Sequence, residues 1–121
     1  VIKQADKKGL RDIAAEIAEF AAVARGGKLP AADMQGATFT ISSLGGVGGT
    51  GFAPIINAPE VAILGMTRAE VQPVWDGTDF APRLTQPVSL SWDHRVIDGV
   101  LAARFLVHVT RTLDDFRRIA V

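Results

Sequence analysis

The chain has 121 residues, with 13 Lys+Arg against 13 Asp+Glu, 48% hydrophobic residues and no cysteine. A chain of this length buries about two-thirds of its unfolded surface when it forms one core, which predicts one domain or part of one. Zero net charge without a Lys/Arg block disfavours nucleic acid and anionic membranes as partners. The lack of cysteine excludes disulfides, thiolate metal clusters and a cysteine nucleophile. Because the chain begins at Val1 within a polar run, we expect an excised piece of something longer.

Charge is distributed unevenly along the chain. Residues Met34 to Pro59 include no ionisable side chain. The segment is rich in glycine and contains two prolines, which would break a helix that spans a membrane. We therefore expect this segment to be buried inside the protein or against another subunit.

Hydrophobic spacing predicts one helix near each end of the chain. The first should end at Gly26-Gly27, and its apolar positions are Leu10, Ile13, Ala14, Ile17, Phe20, Ala21 and Ala24. The last is preceded by Asp98-Gly99, and its apolar positions are Ala102, Phe105, Leu106, Val109, Leu113 and Phe116.

The region between the two helices has strand patterns. Thr38 to Ser43 alternates and is rich in β-branched residues, and a loop with five glycines between Gly45 and Gly51 follows. The apolar run Val61 to Met66 suits a strand that is covered on both faces. The five glycines suit tight turns and close backbone packing, since the segment has no lysine and does not fit a phosphate-binding loop.

A hairpin and a further strand complete the predicted elements. Val71 to Trp75 leads into Asp76-Gly77, which is a strong hairpin signal. From Phe80 to Trp92 the alternation places one set of side chains on each face, and His94 shares the face of Trp92 if the strand continues. The first set is Leu84, Val88, Leu90 and Trp92, and the second is Ser89, Ser91 and Asp93. The order of elements predicts an α/β fold with some antiparallel pairing.

The nearest approach to a chemical signature is the segment SWDHRVIDG, Ser91 to Gly99. His94 and Asp98 lie four residues apart, but in a turn this spacing does not guarantee contact. Asp98 is equally well explained as the N-cap of the last helix. His94 can also be an ordinary histidine satisfied by hydrogen bonds. A metal site is disfavoured, because one His and one Asp supply too few ligands and His108 has no partner at ligand spacing.

Three motifs together resemble the catalytic core of the dihydrolipoamide acyltransferases of 2-oxo acid dehydrogenase complexes. They are TFTISSLGG, the segment NAPEVAILG at Asn57 to Gly65, and DHRVIDG. They occur in the order found in that family, and the resemblance covers essentially the whole chain. QPVWDG, Gln72 to Gly77, is most similar to the pyruvate-specific branch.

The resemblance implies a fold and a site. The fold is a chloramphenicol-acetyltransferase-like two-layer α/β sandwich with a mixed sheet, of which residues 1–121 are the C-terminal part. His94 corresponds to the general base that takes the proton from the coenzyme A thiol. Ser42 corresponds to the hydroxyl that stabilises the tetrahedral oxyanion, although by itself it is also a plausible strand-end residue. Asp98 corresponds to a residue that orients the active-site loop.

The resemblance also implies substrates, partners and a location. The acyl group, most simply acetyl, moves between coenzyme A and a dihydrolipoyl group carried on a domain outside this chain, with no metal. Homotrimers assemble into a cubic or dodecahedral core that binds other dehydrogenase subunits through regions outside this chain. The expected location is the bacterial cytoplasm or, in a eukaryote, the mitochondrial matrix. The resemblance assigns no residue of this chain to the binding of coenzyme A.

The sequence is also consistent with two other functions. One is a non-catalytic scaffold that serves only to assemble the core of the complex. The other is a thioester hydrolase, because Ser42, His94 and Asp98 are the residue types of a catalytic triad. The hydrolase is disfavoured because the chain lacks a GxSxG motif.

Overall fold

The computed structural model describes residues 1–115 of the chain. These residues belong to two compact units, which divide after Thr38. Phe116, predicted as the last apolar position of the final helix, lies outside the described residues.

The first unit is built around helix α1, Leu10–Arg25. The helix ends before Gly26-Gly27, as predicted. The N–H of Gly27 donates to the Ala24 carbonyl at 2.9 Å and that of Lys28 donates to the Val23 carbonyl at 3.2 Å. These two bonds form a Schellman motif, which satisfies carbonyls that the helix leaves unpaired. Two short 3-10 helices flank α1, at Ala5–Lys7 and Ala31–Met34.

The second unit contains two sheets and helix α2. In chain order its elements are β1 (Thr40–Ser43), a 3-10 turn (Gly45–Val47), β2 (Ala62–Met66), β3 (Glu70–Trp75), β4 (Phe80–Thr85), β5 (Val88–Trp92) and α2 (Gly99–Asp114). The first sheet has the order β1-β2-β5, with β1 parallel and β5 antiparallel to β2. The predicted helices and the antiparallel pairing are therefore confirmed, and the sheet is mixed.

Strand β2 is the centre of the hydrophobic core. Ala62, Ile63 and Leu64 are buried, as is Ala102 of helix α2. Ala62 pairs with Trp92, and Leu64 pairs with Leu90, so these side chains share the face on which α2 packs. The predicted coverage of this strand on both faces is confirmed.

The second sheet is the hairpin of β3 and β4. Its turn is held by the carboxylate of Asp76, whose Oδ1 accepts the N–H groups of Asp79 at 3.0 Å and Thr78 at 2.9 Å. These bonds, that of Asp79 first, lower the pKa of the Asp76 carboxyl. The predicted hairpin turn at Asp76-Gly77 is confirmed.

One face of this hairpin is entirely apolar. Three directly opposed pairs form it, and all six side chains are exposed: Val71 with Leu84, Pro73 with Pro82, and Trp75 with Phe80. The rings of Trp75 and Phe80 make an edge-on contact with centroids 5.3 Å apart. The facing prolines are tolerated because each strand of a two-stranded sheet has one free edge.

The prediction of one strand pattern from Phe80 to Trp92 is wrong in one respect. The segment forms two strands that belong to different sheets. Pro87 lies at the break and has no N–H for a ladder, while the side-chain amide of Gln86 donates to the carbonyls of Thr67 and Pro87.

The charge-free segment is not buried inside this chain. Of residues 34–59, only Pro54 is buried. Val47 and Ile55 are 87% and 88% exposed, although both are large and apolar. Residues 1–115 therefore do not bury the segment by themselves, and its burial inside the whole protein or against another subunit stays a prediction.

Substitution of Gly65 tests how tightly the first sheet is packed around this position. A Cβ at this position would lie 2.7 Å from Ser89 Oγ and 2.9 Å from Phe52 Cε1. We expect Gly65→Ala to lower the free energy of unfolding by about 1–3 kcal/mol, the usual effect of overpacking. Denaturant unfolding of the assembled protein measures it. Gly46→Ala is the matched control, since its Cβ would meet nothing within 4 Å. Equal stability of the two variants would contradict this account.

Candidate active site

Ser42 lies in a row of small residues that crosses the first sheet. It is opposite Gly65 in β2, which in turn is opposite Ser89 in β5. Directly opposed residues share a face, so Ser42 and Ser89 are on the same side of the sheet. Ser43 is opposite Met66 and lies on the other face, where its Oγ accepts the N–H of Gly45 at 3.1 Å. The two serines therefore face opposite sides, as predicted for an extended strand.

The face of Ser42 is partly covered by the end of the glycine-rich loop. The Phe52 ring lies over Gly65, and the Phe52 carbonyl accepts a hydrogen bond from Ser89 Oγ at 2.6 Å. Ser42 itself is half-buried, and its hydroxyl has no hydrogen-bond partner among residues 1–115. The hydroxyl of Ser42 is consequently available to donate to a ligand.

The glycines before Phe52 serve as turn residues. Gly48 and Gly49 have φ angles of 98° and 94°, which side chains of L-residues rarely adopt. A Cβ at either position would meet nothing within 4 Å. The tight turns expected here are present, whereas residues 1–115 do not pack closely against these two glycines.

His94 lies in a turn, residues 93–97, directly after β5. The strand ends at Trp92, yet the ring centroids of Trp92 and His94 are 6.2 Å apart, so the histidine remains on the Trp92 side. His94 is exposed, and its imidazole makes no hydrogen bond within the described part of the chain. An exposed imidazole without a competing partner can exchange protons with a ligand.

Asp93 and Arg95 flank the histidine and bind each other. Asp93 Oδ1 accepts the backbone N–H and Nε of Arg95 at 3.0 and 2.9 Å, and Oδ2 accepts Nη2 at 2.6 Å. The side-chain hydrogen bond from Arg95, followed by the backbone bond, lowers the pKa of Asp93 to about 2. The stability that this carboxylate contributes is therefore present at neutral pH and is lost only as the pH falls toward 2.

Asp98 caps helix α2. Its Oδ1 accepts the N–H of Leu101 at 2.8 Å, and its backbone is extended, as an N-cap requires. The N-cap interpretation is confirmed. No hydrogen bond joins Asp98 to His94 within residues 1–115, so the four-residue spacing does not produce a direct hydrogen bond between them.

Ser42 and His94 do not converge within one chain. Ser42 shares a sheet face with Ser89, whereas Trp92, beside His94, belongs to the opposite face. Ser42 also lies two strands across the sheet and three residues along it from Trp92. These offsets correspond to roughly 14 Å between the backbone positions of the two residues. A site that uses both side chains on one reacting group needs two copies of the chain.

The NAPEVAILG segment has a structural part in the fold. The carboxylate of Glu60 accepts a hydrogen bond from Thr40 Oγ1 at 2.6 Å, and Asn57 Nδ2 donates to the same hydroxyl at 3.4 Å. These bonds tie β1 to the start of β2. An open cavity of about 350 Å³ lies beside this segment and the turn of His94, lined by Ile56, Ala58, Pro59, Glu60, Val61, Asp93 and Arg95.

Sequence reasoning did not identify Asp93 and Arg95 as functional candidates. The available signal was their i, i+2 spacing on either side of His94 in DHR, which permits a carboxylate to bind both the backbone and the side chain of the arginine.

Residues 1–115 contain neither a cluster of metal-ligating side chains nor a helix that could span a membrane. No group of three or more His, Asp, Glu or Cys side chains is close enough together to hold a metal ion. In the same residues, neither helix has the length and apolarity needed to cross a bilayer.

Comparison with known proteins gives consistent matches. The profile of the 2-oxoacid dehydrogenases acyltransferase (catalytic domain) family matches residues 1–121. The dihydrolipoyllysine-residue acetyltransferase component of the pyruvate dehydrogenase complex of Cupriavidus necator is 63% identical over 119 residues, which are 98% of this chain and 22% of that protein.

Solved structures agree with the sequence match. Azotobacter vinelandii dihydrolipoamide acetyltransferase, studied for the catalytic roles of a serine, a histidine and an asparagine, superposes with a TM-score of 0.91 at 60% identity. The cubic core of a pyruvate dehydrogenase multienzyme complex also superposes with a TM-score of 0.91, at 59% sequence identity. Each match covers 96% of this chain and 48% of the other, so this chain spans about half the length of these solved cores. The chain therefore belongs to the 2-oxoacid dehydrogenase acyltransferase family and has the fold of its catalytic domain.

Proposed function

We propose that the chain forms part of an enzyme that transfers an acetyl group between S-acetyl-dihydrolipoamide and coenzyme A. The observation that supports this most directly is a pair of spacings. In the Azotobacter enzyme the named serine precedes the named histidine by 52 residues, and the asparagine follows the histidine by four. Ser42, His94 and Asp98 have the same separations, with aspartate in the place of asparagine.

His94 acts as the general base in the proposed mechanism. Its imidazole takes the proton of the coenzyme A thiol, and the sulfur attacks the carbonyl carbon of the thioester. When the tetrahedral intermediate collapses, the carbon–sulfur bond to the dihydrolipoyl group breaks and the imidazolium returns the proton to the departing sulfur. Transfer of a proton from an ordinary thiol to an ordinary imidazole costs about 2.7 kcal/mol, which is small beside an activation barrier.

Ser42 stabilises the negative charge that develops on the thioester oxygen. Its hydroxyl is half-buried and has no partner among the described residues, so it can donate to that oxygen without losing another bond. A hydrogen-bond donor placed in this way lowers the barrier by about 2.7–4 kcal/mol. Ser42 is thus a donor and not the nucleophile.

The positions of the two side chains support an active site that neighbouring chains share. Ser42 and Trp92, whose ring lies beside that of His94, face opposite sides of one sheet, so in the proposed assembly the histidine of one chain acts with the serine of a neighbour. We propose a homotrimer within a larger core, in which residues 1–121 are the C-terminal part of the catalytic domain. Coenzyme A and a dihydrolipoyl group are its substrates, and a bacterial cytoplasm is its proposed location.

Substitution of His94 tests its role as the general base. We expect His94→Ala to lower kcat for acetyl transfer by about 10²–10⁴-fold, the usual contribution of a positioned acid–base group. The assay follows acetyl transfer from acetyl-CoA to dihydrolipoamide by the assembled protein. His108→Ala in α2 is the control, because His108 is also exposed. Undiminished turnover of the His94 variant would exclude this mechanism.

Substitution of Ser42 tests its role as the hydrogen-bond donor to the oxyanion. Ser42→Ala should reduce kcat by about 10²–10³-fold with little change in KM, because the bond forms in the transition state. Ser43→Ala is the matched control, since this serine faces the other side of the sheet. If the Ser43 variant lost more activity than the Ser42 variant, the register assignment of the donor would be wrong.

Mixed assemblies test the sharing of sites between chains. A His94→Ala chain supplies only an intact serine, and a Ser42→Ala chain supplies only an intact histidine. When equal amounts are refolded together, random trimers should recover roughly a quarter of the wild-type activity, while each variant alone stays inactive. No recovery in assembled mixtures would show that the two groups act within one chain or that the chain is a scaffold.

Two substitutions of Asp98 separate its role as a helix cap from the effect of its negative charge. Asp98→Asn retains a side-chain oxygen that can cap the helix, and it introduces the asparagine that the Azotobacter enzyme has four residues after its histidine. We therefore expect nearly normal stability and activity. Asp98→Ala removes the acceptor of the Leu101 N–H and should cost about 1 kcal/mol of stability together with part of the activity. Unfolding and turnover are measured on the same samples. Equal loss of turnover in both variants would instead assign the function to the negative charge.

A further inference from the structure

The turn that presents His94 is organised by one residue, Asp93. Its N–H donates to the Val61 carbonyl at 2.8 Å, which continues the pairing of β5 with the chain leading into β2. Its carbonyl accepts the N–H groups of Val96 and Ile97, both at 3.0 Å, and closes the turn. Its carboxylate binds the backbone and guanidinium of Arg95. The hydrogen bonds of residue 93 before His94 and of the N–H groups of residues 95–97 after it therefore all include Asp93.

The ion pair and the histidine lie on different sides of the turn. The Arg95 guanidinium binds the Asp93 carboxylate, whereas the imidazole of His94 lies against the Trp92 ring. Within residues 1–115 the guanidinium is therefore not a hydrogen-bond partner of the imidazole, and the contact between the pair and the histidine runs through the backbone of the turn.

We propose that Asp93 and Arg95 form a positioning pair that fixes the backbone on both sides of His94, so that its imidazole is held ready for proton transfer. This inference rests on the proposed role of His94 as general base. The imidazole has no hydrogen bond of its own in residues 1–115. Its placement depends on the turn and on Trp92, and in catalysis a small misplacement of a reacting group costs a large factor in rate.

The geometry of the pair suits this role better than that of an ordinary surface ion pair. The Asp93 side chain is only 22% exposed, whereas that of Arg95 is 89% exposed. Two nitrogen atoms of the planar guanidinium bind both carboxylate oxygens, an arrangement that a lysine ammonium cannot reproduce. The carboxylate remains ionised at neutral pH because this bonding lowers its pKa to about 2.

The test compares Arg95→Met, Asp93→Asn and the double variant in the assembled protein. We expect each single variant to lose about tenfold in kcat, with the KM values for coenzyme A and dihydrolipoamide within about twofold of wild type. The double variant should lose no more than the singles, because both remove the same interaction. Arg95→Lys should recover only part of the loss. Arg104→Met, on the exposed side of α2, is the control and should retain full activity.

The alternative is that Arg95 binds substrate directly. The arginine borders the cavity of about 350 Å³, and its guanidinium could contact an anionic part of coenzyme A there. A raised KM for coenzyme A with unchanged kcat in Arg95→Met would overturn the positioning role in favour of this one. Additive losses in the double variant would also overturn it, as would full activity in both single variants.

Failure of the proposed function has a different signature. If His94→Ala transfers acetyl groups as fast as wild type, the general-base assignment fails whatever the pair does. The position of His94 is then compared by cryo-electron microscopy of assembled Arg95→Met and Arg104→Met. If residues 93–97 are displaced in Arg95→Met and not in Arg104→Met, the result supports the positioning role of the pair. If these residues are not displaced in Arg95→Met, that role is overturned.

Discussion

The pleat of the three-stranded sheet is the constraint on which the rest of the site depends. Alternate residues face opposite sides, and the pairing of β1, β2 and β5 fixes which residues share a side. Ser42 is thereby placed on one face and Trp92, with the neighbouring His94, on the other. A shift of β1 by one residue would exchange Ser42 with Ser43. The proposed division of chemistry between neighbouring chains thus depends on strand register.

Much of the fold followed from local patterns. Helical spacing located both helices, and the turn residues Asp76-Gly77 located the hairpin, because these signals are contained in short stretches of chain. The assignment of Phe80 to Trp92 to one strand failed because the alternation continues through Pro87, while the strands on either side join different sheets. Pairing between strands distant in sequence is invisible to a local pattern.

The site was predictable to a different degree. Ser42, His94 and Asp98 became candidates through family motifs, and the cap at Asp98 was predicted from its position before a helix. The bidentate contact between Asp93 and Arg95 was not foreseen, since it depends on the closed turn of residues 93–97. The exposure of the charge-free segment was also missed, because composition shows that a segment avoids charge and does not show which polypeptide covers it.

The apolar face of the β3–β4 hairpin has a thermodynamic consequence. A two-stranded sheet is marginally stable in water unless something covers its hydrophobic side. Where a second polypeptide supplies that cover, mass action makes the folded fraction depend on protein concentration. Dilution then becomes a denaturing condition in its own right, and a melting temperature has meaning only beside the concentration at which it was measured.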